Sequence, residues 1–272
     1  MRLAKVRFPL NASYWRIALW LFAWGLAVAG NRAAAIDLVC HRGANEVAPE
    51  NTRAAAQKCI DWGVAYVEID VRTSKDKQLY ILHDPTVNRT TNGKGFLRQM
   101  TAEEIDKLDA GSWFDSKFAD QKVPQLRPYL EWIKGKAKVY FDVKDADIKQ
   151  LIAMVYDVGM QDDCFFWFAS GKQAEKFREL DQKLALKVNV SNPLQVAEAA
   201  GKYHANIVEV DLKNMTPELV KACQQRDIKI MIYHPQKDRD GFRKVIEWQP
   251  DMVNLNHADL FQQVEREVAA GK

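Results

Sequence analysis

The 272-residue sequence predicts an α/β protein, a (β/α)8 TIM barrel with an insertion after strand 2. Short runs rich in β-branched and aromatic residues alternate with helical patterns along the chain. Most of these runs are too apolar for a sheet with one face in water, which indicates parallel strands covered on both sides. Eight strands, each followed by a helix, is the number that closes such a barrel. Because periodicity does not show closure, an open doubly wound sheet is the structural alternative.

The predicted elements follow one another regularly. The eight strands occupy residues 36–40, 65–71, 137–143, 164–169, 186–190, 206–210, 229–233 and 252–255. The helices occupy residues 52–62, 126–133, 146–158, 172–184, 193–201, 217–226, 241–248 and 260–270. Asn51 and Thr52 are suitable caps for the first helix, and Thr216-Pro217 suits the start of the sixth. With no internal repeat or linker, residues 36–272 are predicted to form one domain.

One long segment, the insertion at about residues 85–123, breaks the alternation of strands and helices. It contains the turn-forming run Thr91-Asn92-Gly93-Lys94-Gly95 and the aromatic residues Trp113, Phe114 and Phe118. A connection of this length with apolar residues of its own is usually a lid or a small subdomain.

The first 35 residues have the order of a secretion signal. Four basic residues precede an apolar run at 17–29, and the small-residue triplets Ala27-Val28-Ala29 and Ala33-Ala34-Ala35 follow. This order predicts a signal peptide over residues 1–35 and an exported protein, periplasmic or secreted. The run is short for a bilayer span of about 20 residues, although an uncleaved anchor or a buried N-terminal helix is the alternative.

The basic excess of the chain lies in this leader. The whole sequence carries a net charge of +3, with 39 basic and 36 acidic residues. Cleavage after Ala35 removes five basic residues and no acid, which leaves 34 basic and 36 acidic residues. The mature chain therefore offers no basic track for nucleic acid.

The four cysteines, at positions 40, 59, 164 and 223, have no metal-type spacing. Two of them lie in apolar patterns, which favours buried free thiols over disulfides. Export to an oxidising compartment leaves the pairing open.

Three carboxylates are predicted to meet inside the barrel. Catalytic groups of such barrels lie at the C-terminal ends of the strands. Glu68 and Asp70 are two residues apart on the second strand, so their side chains point the same way, and Asp142 comes from the next strand. Such acids repel one another unless a proton or a cation joins them. Three oxygen donors suit Ca²⁺ or Mg²⁺ better than Zn²⁺, which predicts one divalent cation.

Cationic and imidazole side chains belong to the same strand ends. Arg42 and Lys144 supply positive charge, and a guanidinium matches the shape of a phosphate. His41 and His83 can accept and donate protons near neutral pH. A metal, two cations and two imidazoles together describe the cleavage of a phosphate ester.

Each of these residues also has a structural interpretation. A single histidine at a strand end is more often a hydrogen-bonded structural residue. Glu68 and Asp70 could form a solvated strand face or pair with Arg72, and Lys144 could belong to an exposed salt-bridge cluster. The residues taken one at a time leave both interpretations open.

A set of ordered motifs resembles the signature of the glycerophosphodiester phosphodiesterase family. The matching segments are His41-Arg42-Gly43, Pro49-Glu50-Asn51-Thr52, Glu68-Ile69-Asp70, His83-Asp84 and Arg89-Thr90-Thr91…Gly95. The insertion agrees, with Leu108-Asp109-Ala110-Gly111-Ser112-Trp113-Phe114 and Val123-Pro124-Gln125-Leu126. The resemblance is dense from residue 36 to about residue 144 and consists mostly of barrel rhythm thereafter.

The resemblance implies a role for each residue of the motifs. Glu68, Asp70 and Asp142 would hold the metal, His41 and His83 would be the acid–base pair, and Arg42 and Lys144 would bind the phosphate. Glu50 would act from behind these groups by orienting a histidine. The implied reaction is hydrolysis of a small-molecule glycerophosphodiester to sn-glycerol 3-phosphate and an alcohol.

The sequence departs from the family pattern at two places. The third metal ligand is usually Glu in this family, and Asp142 is one methylene shorter. Near the C-terminus, Asn254-Leu255-Asn256-His257 stands where a Thr-Asp-x-Pro motif is frequent, and Tyr233-His234 replaces a Trp-containing pattern. These differences bear on the metal and on the preferred alcohol.

Two other functions are consistent with the same residues. A related barrel phosphodiesterase of the phospholipase C or sphingomyelinase D type would act on lipids, and Trp113, Phe114 and Phe118 could supply its apolar rim. Apart from such a lipid substrate, only the leader predicts membrane contact. A non-catalytic glycerophosphodiester-binding protein is the second alternative, against which the retained His41, His83, Glu68 and Asp70 argue.

Overall fold

The computed structural model describes residues 35–271, so the predicted signal peptide lies outside the described residues except for its last position. The strands are β1 Asp37–Cys40, β2 Tyr66–Thr73, β3 Leu79–Ile81, β4 Lys138–Asp145, β5 Cys164–Phe168, β6 Ala185–Asn189, β7 Ile207–Asp211, β8 Lys229–Tyr233 and β9 Met252–Leu255. The helices are α1 Arg53–Asp61, α2 Ala102–Asp106, α3 Leu126–Ile133, α4 Ile148–Val158, α5 Gly171–Leu180, α6 Pro193–Tyr203, α7 Pro217–Gln224, α8 Arg239–Trp248 and α9 Ala258–Ala269.

Eight parallel strands close into a barrel, as the alternation of strands and helices predicts. The sheet runs in the order β1-β9-β8-β7-β6-β5-β4-β2-β3, and β1 also pairs with β2. That closing pair brings Val39 opposite Tyr66, while Asp37 lies opposite Met252 on the other side of β1. The (β/α)8 fold is thus confirmed, and the open sheet is excluded.

The strands divide their side chains between two apolar layers. Val39, Tyr140, Phe165 and Met231 belong to a cluster inside the barrel. Residues of the opposite parity, such as Val139 and Phe141, pack against the surrounding helices. This alternation leaves the inward positions at the C-terminal ends of the strands for polar side chains.

Strand β3 is not one of the eight barrel strands. It lies outside the barrel and pairs antiparallel with β2. The chain between β3 and α3 has an apolar cluster of its own, formed by Tyr80, Leu82, Val87, Leu97, Ile105, Leu108, Ala110 and Val123. Helix α2, which the sequence does not predict, begins with a capping box between Thr101 and Glu104.

One helix is shorter than the sequence predicts. Helix α5 ends at Leu180, four residues before the predicted end, because the Asp181 side chain accepts hydrogen bonds from the backbone of Lys183 and Leu184.

All four cysteines are buried free thiols. Among residues 35–271, no helix is long and apolar enough to cross a membrane.

Candidate active site

Three carboxylates meet at the C-terminal end of the barrel. Glu68 and Asp70 project from β2, and the parallel register places Asp70 directly opposite Asp142 of β4. One oxygen of each acid lies within 4.8 Å of the others, and all three residues are buried. The predicted metal ligands are therefore brought together by inward positions of two neighbouring strands.

The electrostatics of this cluster favour a bound cation. Burial and then repulsion from Asp70 and Asp142 raise the pKa of Glu68 well above its ordinary value. Burial and the charge of Asp70 likewise raise the pKa of Asp142, whose buried Oδ1 has no hydrogen-bond partner. Hard oxygen ligands of this kind fit a divalent cation such as Ca²⁺ or Mg²⁺. The three residues fit the metal that the motifs imply.

Asn51 fixes one of these carboxylates from behind. Its side-chain amide donates to Asp70 Oδ2 over 2.7 Å, and its Oδ1 accepts from the Asp70 backbone N–H over 3.2 Å. The backbone of Asn51 is left-handed, with φ +59°, a conformation that Asn tolerates better than most residues. The sequence predicts only a capping role for Asn51. Its place in the motif Pro49-Glu50-Asn51-Thr52 is the one signal in the sequence that points to a role in the site.

The two predicted phosphate ligands also contact the acids. The Lys144 ammonium lies 2.6 Å from Asp142 Oδ2 and 3.1 Å from Asp70 Oδ1. Arg42 donates its backbone N–H to Glu68, and its Nε lies 3.7 Å from Asp70 Oδ2. Both cations are thus held at the edge of the carboxylate cluster, where an anionic phosphate would meet them.

His41 lines the same cavity as Glu68 and Asp142. Its Nδ1 forms a 2.9 Å hydrogen bond with Asn256 Oδ1, which also accepts from Asn45. Burial and the neighbouring Arg42 charge lower the pKa of His41, although the Asn256 hydrogen bond opposes them. The imidazole is therefore mostly neutral at pH 7, with Nε2 left for a ligand.

His83 is oriented by a different set of partners. Its Nδ1 lies 2.8 Å from Asp84 Oδ1, and Arg72 donates to its backbone carbonyl over 2.9 Å. Arg89 joins Asp84 to Glu50, through contacts of 2.8 Å and 2.7 Å respectively. Hydrogen bonding to Arg89 lowers the pKa of Asp84 and keeps it ionised beside the imidazole.

The contacts of Glu50 differ from the role that the resemblance implies. It does not orient a histidine directly: its carboxylate accepts from Arg42 over 3.3 Å and from Arg89 over 2.7 and 2.8 Å. Asn256 and Asp84 orient the two histidines instead. Burial opposes ionisation of Glu50, but these arginines still give it a lowered pKa. Glu50 therefore positions the two arginines.

A cavity of about 440 Å³ opens beside the acids. Among the residues that line it are His41, Glu68 and Asp142, together with Tyr233 and Asn254, which belong to the segments that depart from the family pattern. The lining also includes residues to which the sequence assigns no role: Tyr140, Trp167, Lys187, Asn189 and Glu209. Trp113, Phe114 and Phe118 of the insertion are not among its lining residues. The cavity has the size of a small polar ligand.

Comparison with known proteins agrees with this geometry. Residues 41–181 match the model of the glycerophosphoryl diester phosphodiesterase family. A glycerophosphodiester phosphodiesterase of Caldanaerobacter subterraneus is 30% identical over 220 residues, which cover 76% of this chain and 89% of that protein. The chain belongs to the glycerophosphoryl diester phosphodiesterase family. Family and enzyme class, a phosphoric diester hydrolase of the glycerophosphodiester type, are as the motifs predict.

Solved structures of phosphodiesterases share the barrel. A glycerophosphodiester phosphodiesterase from Agrobacterium tumefaciens superposes with a TM-score of 0.80 at 36% identity, over 84% of this chain and 99% of that one. An Oleispira antarctica phosphodiesterase, solved with the product sn-glycerol-3-phosphate, has a TM-score of 0.75 at 23% identity and covers 85% of this chain and 96% of its own. The latter likeness shows the fold alone.

Proposed function

We propose that the mature chain hydrolyses small-molecule glycerophosphodiesters to sn-glycerol 3-phosphate and an alcohol, with one divalent cation, Ca²⁺ or Mg²⁺. The observation that carries the proposal is the meeting of Glu68, Asp70 and Asp142 beside a cavity that His41, Glu68 and Asp142 line. The 30% identity to the glycerophosphodiester phosphodiesterase of Caldanaerobacter subterraneus supports the same substrate class.

The three acids would hold the cation, which would stabilise negative charge on the phosphoryl oxygens. Arg42 and Lys144 would bind the remaining phosphate oxygens, because both cations already lie at the edge of the carboxylates. Glu50 would keep Arg42 in place through its 3.3 Å contact. The side chains of this chain thus orient the phosphate and leave proton transfer to the histidines.

The two histidines have different environments, and we assign them different roles. Burial and the Arg42 charge lower the pKa of His41, so its neutral Nε2 would accept the proton of the attacking water. The Nδ1 of His83 lies against the Asp84 carboxylate, which orients the ring, and we assign His83 the protonation of the leaving alkoxide. The first assignment follows from the burial of His41, and the second follows from the contact of His83 with Asp84.

The test is release of sn-glycerol 3-phosphate from glycerophosphocholine and glycerophosphoethanolamine by purified residues 36–272. It is run with EDTA, with Ca²⁺ or Mg²⁺ restored, and beside His41→Ala and His83→Ala. We expect release that requires the metal and falls by about 10²-fold or more in each variant. Release that persists in EDTA, or in both variants, would contradict the proposal.

We also propose that the protein is exported and that residues 1–35 are removed. The order of basic, apolar and small residues in the leader supports this. Sequencing the N-terminus of the protein from the cell envelope or the medium tests it. A mature chain that begins near residue 30 or 36 is expected, and a chain that retains Met1 would contradict it.

A further inference from the structure

A chain of polar side chains crosses the barrel mouth along β6, β7 and β9, and three of its four members, Lys187, Glu209 and Asn254, are buried. The Lys187 ammonium contacts the Glu209 carboxylate and donates to Asn189 Oδ1 over 2.7 Å. Glu209 Oε1 in turn accepts from Asn254 Nδ2 over 3.0 Å. All four residues line the same cavity as His41. None of them has a part in the mechanism above.

Holding the strands together does not require this chain of charges. Backbone hydrogen bonds already join β6 to β7, and burying an ion pair in a barrel usually costs more free energy than an apolar pair would. Lys187 is only 1% exposed, yet it is one of the residues that line the cavity. A buried ion pair with this cost in folding free energy is expected where it contacts a ligand.

An unsatisfied acceptor points in the same direction. Asn254 is 3% exposed, and its Oδ1 has no hydrogen-bond partner in the protein. Buried polar atoms are normally paired, so this oxygen is available to a donor that enters the cavity. Lys187 also keeps one proton beyond those given to Glu209 and Asn189.

The chemistry of these groups selects hydroxyls. The Lys187–Glu209 pair is neutral overall, so it attracts neither an anionic nor a cationic group strongly. Carboxylate, amide and ammonium together offer acceptors and donors, and a hydroxyl both donates and accepts. The ring of Trp167, 4.8 Å from the ammonium, also lines the cavity and provides an apolar wall for carbon-bound hydrogens.

We infer that Lys187, Glu209 and Asn254 form a hydroxyl-binding subsite that holds a polyol esterified to the substrate phosphate. The inference rests on the proposed function, because it places the polyol in the cavity that Glu68 and Asp142 also line. The hydroxyls can come from the glycerol common to all glycerophosphodiesters or from a polyol on the alcohol side.

Three substrates separate these sources. Glycerophosphocholine has hydroxyls on the glycerol side only, glycerophosphoinositol has them on both sides, and bis(4-nitrophenyl) phosphate has none. The variants are Asn254→Leu and the double variant Lys187→Met with Glu209→Gln, which leaves no buried charge unpaired. Lys229→Met, at the exposed start of β8, is the control.

For a subsite on the glycerol side, kcat/KM for both glycerophosphodiesters falls by about tenfold or more in each variant, since a site built for a hydroxyl loses that contact. The loss with bis(4-nitrophenyl) phosphate stays below about threefold. A loss confined to glycerophosphoinositol places the same subsite on the alcohol side.

Equal losses with all three substrates, or no loss with any, overturn the inference and make the chain structural. Calorimetric titration with sn-glycerol 3-phosphate and with inorganic phosphate gives a second readout that needs no turnover. For a subsite on the glycerol side, we expect the Asn254→Leu variant to bind the former less tightly and the latter unchanged. If the wild-type hydrolyses no diester, the proposed function fails, and this titration still decides whether the glycerol side has the subsite.

Discussion

At the scale of single residues, asparagines do much of the positioning in this site. Asn51 exchanges two hydrogen bonds with Asp70, and Asn256 accepts the only side-chain hydrogen bond found for His41 among the described residues. Neither residue can itself transfer a proton at neutral pH. Their effect on catalysis therefore passes through the groups they hold.

Replacing Asn51 should weaken metal binding. Asn51→Ala and Asn51→Gly both remove the partner of Asp70, so we expect about a 10–100-fold loss of Ca²⁺ or Mg²⁺ affinity in calorimetry. Because the backbone φ is +59°, Ala is strained here and Gly is not. Only the Ala variant should lose melting temperature from strain. Equal metal affinity in wild type and Asn51→Gly would show that Asp70 needs no support.

Replacing Asn256 should move the pKa of His41 in a predictable direction. Its hydrogen bond raises that pKa against the lowering effect of burial. Asn256→Leu should therefore lower the pKa further, while Asn256→Asp, which adds a negative charge, should raise it. NMR titration of the His41 ring measures both shifts, and the acidic limb of kcat/KM should follow them. Shifts in the same direction in the two variants would contradict this account.

At the scale of elements, the insertion carries one side of the site. Its apolar cluster includes Leu82, which directly precedes His83, and Ile105 of α2. Tyr80 donates to Asp106 over 2.7 Å, which ties α2 to β3. Packing within the insertion therefore sets the position of His83.

A cavity in this cluster should reduce both stability and activity. Ile105→Ala should lose about 2–4 kcal/mol of unfolding free energy and also reduce kcat, because the support of His83 loosens. Ile133→Ala, at an equally buried site on α3, should lose similar stability while kcat changes little. Urea unfolding and initial rates measure the two effects. Equal loss of kcat in both variants would argue against a separate role for the insertion.

Sequence patterns predict the elements better than their connections. The apolar runs that become β4 and β7 are evident because both faces of these strands are buried. Closure depends on the pairing of β1 with both β2 and β9, and no local pattern encodes such contacts. The start of helix α2 and the C-terminal end of α5 depend on hydrogen bonds from side chains of polar segments, which resemble loops in sequence.

The residues of the site also differ in how well the sequence predicts them. Glu68 and Asp70 can be predicted as a pair because strand alternation fixes their common direction. The contact of His41 with Asn256 joins residues 215 positions apart, and that of Glu209 with Asn254 joins residues 45 positions apart. Lys187 looks like a surface lysine in sequence, since its burial follows only from the closed barrel.

At the scale of the whole molecule, the buried acids make stability depend on pH and metal. The raised pKa of Glu68 means that the folded protein keeps a proton that the unfolded chain loses above its ordinary pKa of 4.5. This contribution to stability is complete below pH 4.5 and is lost as pH rises through the folded-state value. Without metal, the protein should therefore lose stability on this account toward neutral pH.

Glu68→Gln tests that linkage. The amide stays neutral, so in EDTA at pH 7.5 the variant should melt at a higher temperature than wild type. Adding Ca²⁺ or Mg²⁺ at 100 times its dissociation constant should stabilise wild type by about 2.7 kcal/mol and leave the variant unchanged. Thermal unfolding with and without metal measures both. A variant that melts below wild type in EDTA would show that the acids do not repel each other.

The most direct measurement is a joint titration of bound metal and activity. Metal-free wild type and Asp142→Asn are titrated with Ca²⁺ or Mg²⁺, and bound ion and release of sn-glycerol 3-phosphate are followed in the same samples. We predict that wild-type activity rises in proportion to occupancy and levels off at one ion per chain, with weaker binding and little activity in the variant. Activity that does not follow occupancy, or equal binding by Asp142→Asn, would contradict a single catalytic cation held by Glu68, Asp70 and Asp142.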